Sequence, residues 1–393
     1  MDVRPPVEHG KHRRKRTHWQ VAGGLGVVLL IAVVIATGVW RGGSSSSDEP
    51  EVAAPTAAAG SAGHTGHSPS PGTSSSGATP SPTEDGQAAS AATPAVGPAV
   101  GVGVAPHHMA IAPDGRYGYI ADPVAGAVFR FDTVRGVATA TIPVPQAPPQ
   151  LVTFSPDGSR AYVSAYDESF AADYIVTIDA TTDRTIGAVP VGRGPYAIAT
   201  TLDGRLLYVP YYDEDHLDVL DTNTGDRVAR IEVAPSPHWV AFTDDRRFTY
   251  ITNHFADVVT LLDLRDNSIV ATIPAGDGPH SLELSPDGSR LAVVNYISDD
   301  VTLIDTATNQ VVMTVPAVGA GPQDVTWAPD GRHFYTANVD DGTVGVVDAE
   351  SGIVTARIPT GASPTSVSVT PDGRRLFVTN FGDGTVRLLD ASS

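Results

Sequence analysis

Four kinds of side chain in this sequence have the chemistry to hold or turn over a ligand: imidazoles, phenols, carboxamides and carboxylates. The chain has 12 histidines, 12 tyrosines and 44 acidic residues but no cysteine. Without a thiol there is no disulfide, Cys-ligated zinc, iron–sulfur cluster, cysteine nucleophile or lipidated cysteine. Imidazole is the commonest transition-metal ligand, so His238, His254 and His280 raise a three-histidine copper or zinc site. Asp167, Glu168 and Asp173, and then Asp213, Glu214 and Asp215, offer hard oxygens to calcium or an acid–base pair to a glycan or lactone. Local spacing supports none of these sets. No H-E-x-x-H occurs, and Asn338-Val339-Asp340-Asp341-Gly342 resembles a calcium loop only superficially. Nucleophile elbows, dinucleotide glycine patterns and Walker patterns are also missing. The spacing of His64 and His67 falls in a low-complexity stretch and reads as chance. Any site must therefore be assembled from residues far apart in the chain.

Charge narrows the partners. Residues 1–97 hold 7 basic and 7 acidic residues, so the remaining 18 basic and 37 acidic residues carry the whole net charge of −19. Both lysines, Lys11 and Lys15, precede residue 20. A field of that sign repels phosphate backbones and anionic headgroups, which disfavours nucleic acid as a partner.

Three segments differ in composition. Residues 21–40, VAGGLGVVLLIAVVIATGVW, follow a basic 1–20 segment containing His12-Arg13-Arg14-Lys15-Arg16. A helix of that length crosses a ~30 Å hydrocarbon core once, with the basic end cytoplasmic and the rest exported. The reading is a signal anchor at the cell membrane, the alternative being a cleaved signal that releases a secreted protein. Residues 41–94, rich in Ser, Gly, Ala, Thr and Pro, cannot bury enough apolar area to fold and read as a disordered tether with a reach of about 40 Å.

From residue 106 the chain repeats. A Pro-Asp-Gly-type turn recurs at Asp114, Asp157, Asp203, Asp245, Asp287, Asp330 and Asp372, spaced 43, 46, 42, 42, 43 and 42 residues apart. Each turn leads into two short apolar strands, the second closing on Asp132, Asp179, Asp221, Asp263, Asp305, Asp348 or Asp390, and then a further strand. Four strands per ~42 residues is the blade of a β-propeller. The expected fold is all-β, a seven-bladed propeller of four-stranded blades over residues 95–393. The repeat-turn aspartates read as structural, because one turn chemistry explains them all. Only three residues follow Asp390, so the seventh unit lacks its fourth strand. The alternating segment 96–104 is expected to supply it and close the ring.

Phe377-Val378-Thr379-Asn380 and Tyr250-Ile251-Thr252-Asn253, each after its turn, resemble the YVTN repeat of surface-layer and periplasmic seven-bladed propellers. The resemblance implies the fold. Its relatives are mostly binding proteins, while related propellers carry redox cofactors or lactonase sites. The first three units depart from it, with Asp122, Ala165 and Tyr211 in place of the asparagine.

In such a ring the corner entering each inner strand and the hairpin between second and third strands share one face. That face is expected to gather His107, Gln150, Tyr196, His238, His280, Gln323 and Thr365 at the channel mouth, ringed by Tyr166, Tyr211, Tyr212, Asn253, His254, Asn295, Tyr296, Asn338, Asn380 and Phe381. Two functions fit. The first is a membrane-tethered extracytoplasmic binding module, not an enzyme, for a protein, peptide or cell-wall glycan. The second is a copper, zinc or calcium enzyme or redox protein using the funnel histidines.

Overall fold

The computed structural model describes residues 87–167 and 169–393. The basic N-terminus, the apolar 21–40 segment, the tether up to residue 86 with His64 and His67, and Glu168 lie outside the described residues. Among the described residues there is no helix, hence none long and apolar enough to cross a membrane.

Seven four-stranded antiparallel sheets follow one another along the chain. Blade 5 shows the pattern: Pro279–Leu284, Arg290–Asn295, Asp300–Asp305 and Gln310–Pro316, from the axis outward. Its first turn is local chemistry. Gly288 takes φ 68°, and the Asp287 carboxylate accepts the Ser289 N–H at 3.0 Å. The same bond recurs from Asp114 to Asp372 at 3.0–3.1 Å, so these aspartates are structural. Blade 4 puts Arg246 (φ 59°) where the other six turns have glycine.

The apolar core lies between neighbouring sheets. Ala292, Val294 and Leu303 of blade 5 pack on Val325, Trp327 and Phe334 of blade 6. Hydroxyl clasps add to it: Tyr208 donates to Asn267 at 3.3 Å and Tyr250 to Asn309 at 2.8 Å, each reaching the outer turn of the next blade. The buried Tyr335 hydroxyl of blade 6 makes no such clasp and has no partner among the described residues.

The ring closes as expected, with a shifted strand. Blade 7 comprises Pro364–Val369, Arg375–Asn380 and Thr385–Ser392, and its fourth strand is Ser90–Gly101, paired from Ser90↔Ser392 to Gly101↔Thr385. It begins earlier than 96 and stops before 104. Pro94 and Pro98 are tolerated because the strand is an edge. The stop comes from Gly103, at φ 68°, and from Asp122, whose carboxylate accepts the Val104 and Ala105 N–H groups at 2.6 and 2.9 Å. At the seam Ser90 donates its N–H and hydroxyl to Asp330 (2.6 and 2.9 Å) and lies 2.7 Å from His333 Nδ1.

Blade 3 is the irregular one. Its inner strand is only Ala199–Thr200, and Ala197 instead bridges in parallel to Trp239 of blade 4.

Candidate functional site at the channel mouth

In a four-stranded antiparallel blade, the loops after the second and fourth strands leave on one side, so corners and 2–3 hairpins meet there. Blades 3, 4 and 5 contribute Tyr196, His238 and His280 from their corners and Tyr212, His254 and Tyr296 from their hairpins. These six form one continuous aromatic cluster. Ring centroids lie 4.7 Å apart for His238–His254, 5.1 Å for His238–His280, 5.9 Å for His254–His280 and 4.8 Å for Tyr196–His238. Tyr212 meets His238 at 5.7 Å, and Tyr296 meets His280 at 6.1 Å. Tyr166 and Phe170 join through Tyr212.

The imidazoles are oriented by backbone. His238 Nδ1 lies 3.1 Å from the Ser236 carbonyl, His280 Nδ1 2.8 Å from that of Gln323, His254 Nδ1 3.3 Å from that of Pro279, and His107 Nδ1 3.0 Å from that of Gln150. A carbonyl only accepts, so in each ring Nδ1 carries the proton and Nε2 keeps the lone pair. On His280 that lone pair is used: the Tyr196 hydroxyl donates to Nε2 at 3.2 Å.

Burial keeps these rings neutral. It lowers His107 to about 4, His280 to about 3 and His238 well below the usual imidazole range, neighbouring imidazoles adding repulsion in the last two. His254, the less buried of the three clustered histidines, is lowered for the same first reason. Burial raises the Tyr196 hydroxyl, which stays protonated and able to donate.

Several residues expected at the mouth serve elsewhere. Asn253, Asn295, Asn338 and Asn380 are fully buried. Their amides are used inside the blade: Asn253 donates to the Ala234 carbonyl (2.5 Å), Asn338 to Val318 (3.3 Å), Asn380 to Thr360 (3.1 Å) and Asn295 to Asp300 (2.6 Å). They hold loops; they do not face a ligand. Tyr211, also fully buried, donates to Asp218 at 3.2 Å. Thr365 is spent on the His107 carbonyl at 2.5 Å, and Gln150 on the Tyr166 carbonyl at 3.1 Å. His107 and Phe381 form a separate ring pair, centroids 5.8 Å apart. Gln323 contributes its carbonyl to His280.

The metal readings change as well. Among the described residues no group of three His, Asp or Glu side chains has the geometry to hold a metal ion. His238, His254 and His280 come together, but Tyr196 occupies His280. Of the acids expected to offer calcium a site, Asp173 accepts the Gly194 N–H at 3.0 Å, Glu214 accepts the Arg193 N–H at 3.1 Å and Asp213 pairs with the Arg193 side chain at 3.1 Å. Asp257 and Asp299, on the next two hairpins, cap Gly278 and Gly321 as Asp173 caps Gly194.

Sequence reasoning passed over the channel wall below the mouth. His108 and Trp239, each one residue after a corner, face each other from blades 1 and 4 with centroids 5.7 Å apart, and His108 Nδ1 is buried without a partner. Asp324 ties three blades, accepting from the Ser281 hydroxyl (2.9 Å) and the Val325 and Val367 N–H groups (2.9 and 3.0 Å). Glu283 accepts the Trp327 N–H at 2.9 Å. The available signal was an ionisable residue on the inner strand: His108 and Asp324 where other blades have Leu151 or Ala197, and Glu283 where they have Ala110, Thr153 or Ala241.

Among known families, the model of the cytochrome D1 heme domain matches residues 206–326. That segment contains His238, His254 and His280. Of solved structures, Kuenenia stuttgartiensis hydrazine synthase is similar at a TM-score of 0.66 and 22% identity, over 73% of this chain and 96% of that one. The likeness is one of fold and supports the propeller; the YVTN repeat stays a resemblance carried by the motif residues. Among curated proteins none matches.

Proposed function

We propose that the channel mouth binds a heme-type cofactor and that the protein is a propeller of redox type, with His254 Nε2 as the iron ligand. The observation that carries this reading is a neutral imidazole, pinned at Nδ1 by the Pro279 carbonyl, in the segment that matches a heme-domain family. A three-histidine copper or zinc site needs three open nitrogens, whereas a heme iron would need one from the protein. The surroundings suit a flat apolar ring. Phe255 and Ile297 beside His254 are 44% and 56% exposed, and Tyr212 and Tyr296 flank the cluster. The charge suits it less. Among the described residues the only arginine or lysine of the mouth loops is Arg193, already paired with Asp213 at 3.1 Å, so heme carboxylates gain little there.

When bound, heme supplies one-electron chemistry at iron. The chain's own contribution is orientation and proton supply. Carbonyl-anchored rings hold their tautomers, and the Tyr196 hydroxyl holds a proton at His280 Nε2 beside the cluster.

Titrating hemin into the full chain in detergent is expected to reach one equivalent with the spectrum of a histidine-ligated heme. His254→Ala is expected to abolish that spectrum, while His216→Ala, outside the cluster, leaves it intact. Unsaturable binding, or an unchanged spectrum in His254→Ala, would overturn the proposal.

The second reading, a module that binds a protein, peptide or cell-wall glycan at the mouth, is supported by the exposed Phe255 and Ile297. In both readings residues 21–40 anchor the chain and the tether carries the ring outside the membrane.

A further inference from the structure

Charge is distributed unequally between the two ends of the ring. Among the described residues, the loops on the mouth side, corners and 2–3 hairpins together, contain ten acidic residues and one arginine. The loops on the opposite side contain twelve acidic residues and eight arginines. Turn capping accounts for acids on both sides, since aspartates accept N–H groups in the turns of each. It does not account for the arginines. The two sides share their capping chemistry, yet only one balances it with cations, and Arg193 on the other is neutralised by Asp213 and lies over Phe170. The acids there repel one another: Asp340 is raised by burial and then by Asp299 and Asp341, and Asp173 by burial and then by Asp167. Exposed apolar side chains stand among these loops, Val124 (55%), Phe255 (44%) and Ile297 (56%) on the hairpins of blades 1, 4 and 5, as Val134, Leu202 and Ile353 do on the opposite side, so it is the charge that sets the mouth apart.

We infer that the mouth face is a docking surface for a positively charged protein, one that presents lysines or arginines with apolar side chains between them. An anionic glycan, a nucleic acid or a second copy of this chain would meet like charge over the same area. A small cation would use the acids but not the apolar side chains between them. The inference does not depend on heme, and its test is run without it.

The probes are a ten-residue peptide of alternating lysine and leucine, and decalysine, titrated into the full chain at 50 and 200 mM salt. Asp215, Asp277 and Asp340 are exposed and stand outside the caps described above. Asp226, Asp244 and Glu350 are exposed acids on the other side. The lysine–leucine peptide is expected to bind more tightly than decalysine, and more weakly at the higher salt. The triple variant Asp215→Asn, Asp277→Asn, Asp340→Asn is expected to weaken it about tenfold, and Asp226→Asn, Asp244→Asn, Glu350→Gln by less than twofold. Equal losses in the two triples would show that net charge alone attracts the peptide, and would overturn the inference. So would the absence of binding, or displacement of the peptide by millimolar calcium at matched ionic strength, which would make the face a cation site. Failure of the heme titration leaves these outcomes untouched.

Discussion

Buried ionisable side chains give this ring a stability that falls on both sides of a pH window. His107, His108 and His280 are lowered by burial to about 4, 3 and 3. A lowered imidazole means that the unfolded chain binds more protons than the folded one below its ordinary pKa of about 6.5. Their stabilisation is therefore complete above that value and is lost as the pH falls towards 4. Glu283 behaves oppositely. Burial pushes it up to about 8, against weaker opposing bonds from Thr326 and the Trp327 N–H, so its contribution is complete below about 4.5 and is lost as the pH rises through 8. Thermal unfolding between pH 4 and 9 is expected to show a maximum between these flanks. Glu283→Gln is expected to raise the melting temperature above pH 8, by a stabilisation of order 1–3 kcal/mol, and to change little at pH 5. A melting temperature flat from pH 7 to 4.5, or an alkaline flank that survives Glu283→Gln, would count against this account. At this scale the sequence was informative about position and silent about direction. The repeat placed His238, His254 and His280 at one mouth, and they are there. It placed Asn253 and Asn380 on the same side equally well, yet their amides turn inward to corner carbonyls at 2.5 and 3.1 Å, which no spacing rule reveals.

Strands were the most legible elements, because period-2 alternation and a recurring turn fix where each begins and ends. The closing strand, Ser90–Gly101, begins and ends earlier than the 96–104 segment that alternation predicts, for a physical reason. Its residues, SAATPAVGPAVG, include two prolines and few apolar side chains, so composition alone assigns its first half to the tether. Pairing with Thr385–Ser392 orders it instead, through backbone bonds that any non-proline residue can make. Two bulges, between Ser90 and Ala95 and between Val96 and Ala99, accommodate the irregularity. The seam also lacks the clasp that Tyr208 and Tyr250 make elsewhere, and the Ser90, Asp330 and His333 contacts stand in for it. Deleting 90–101 from the full chain is expected to lower the melting temperature by more than 10 °C, since it exposes the edge of Thr385–Ser392 and strips cover from blade 7. Ser90→Ala is expected to cost about 1–2 kcal/mol, because it leaves the buried Asp330 carboxylate short of a donor. Calorimetry of both variants decides the matter. An unfolding transition that the deletion leaves in place would mean that the ring does not depend on its closing strand.

For the whole molecule, closure is a matter of which strands meet and not of where the chain happens to start. Ser393 donates its N–H to the Ala89 carbonyl at 2.9 Å, so the residue just after the third strand and the one just before the fourth lie side by side. In blades 1 to 6 that position is an ordinary hairpin between outer strands, with a loop of four or five residues such as 306–309 or 349–353. Blade 7 thus differs from the others by one missing covalent link, and the ring's cooperativity is carried by the cores between blades and the seam contacts. A circular permutant follows from this. Joining Ser393 to Ala89 through a short glycine–asparagine turn, and opening the chain between Gly101 and Val102, turns the two-ended blade into a hairpin-closed one while breaking only a corner. The permutant is expected to keep the far-ultraviolet spectrum of the parent and to unfold in one transition within a few degrees of it, because the outer strands then pair across a short hairpin and not across nearly the whole ring, a smaller loop-closure cost that offsets the loss of the corner. It also detaches the ring from the preceding segment. If it fails to fold, or loses blade 7 in a separate early transition, then the order in which the chain enters the ring matters, and closure is not the equilibrium pairing of strands argued here.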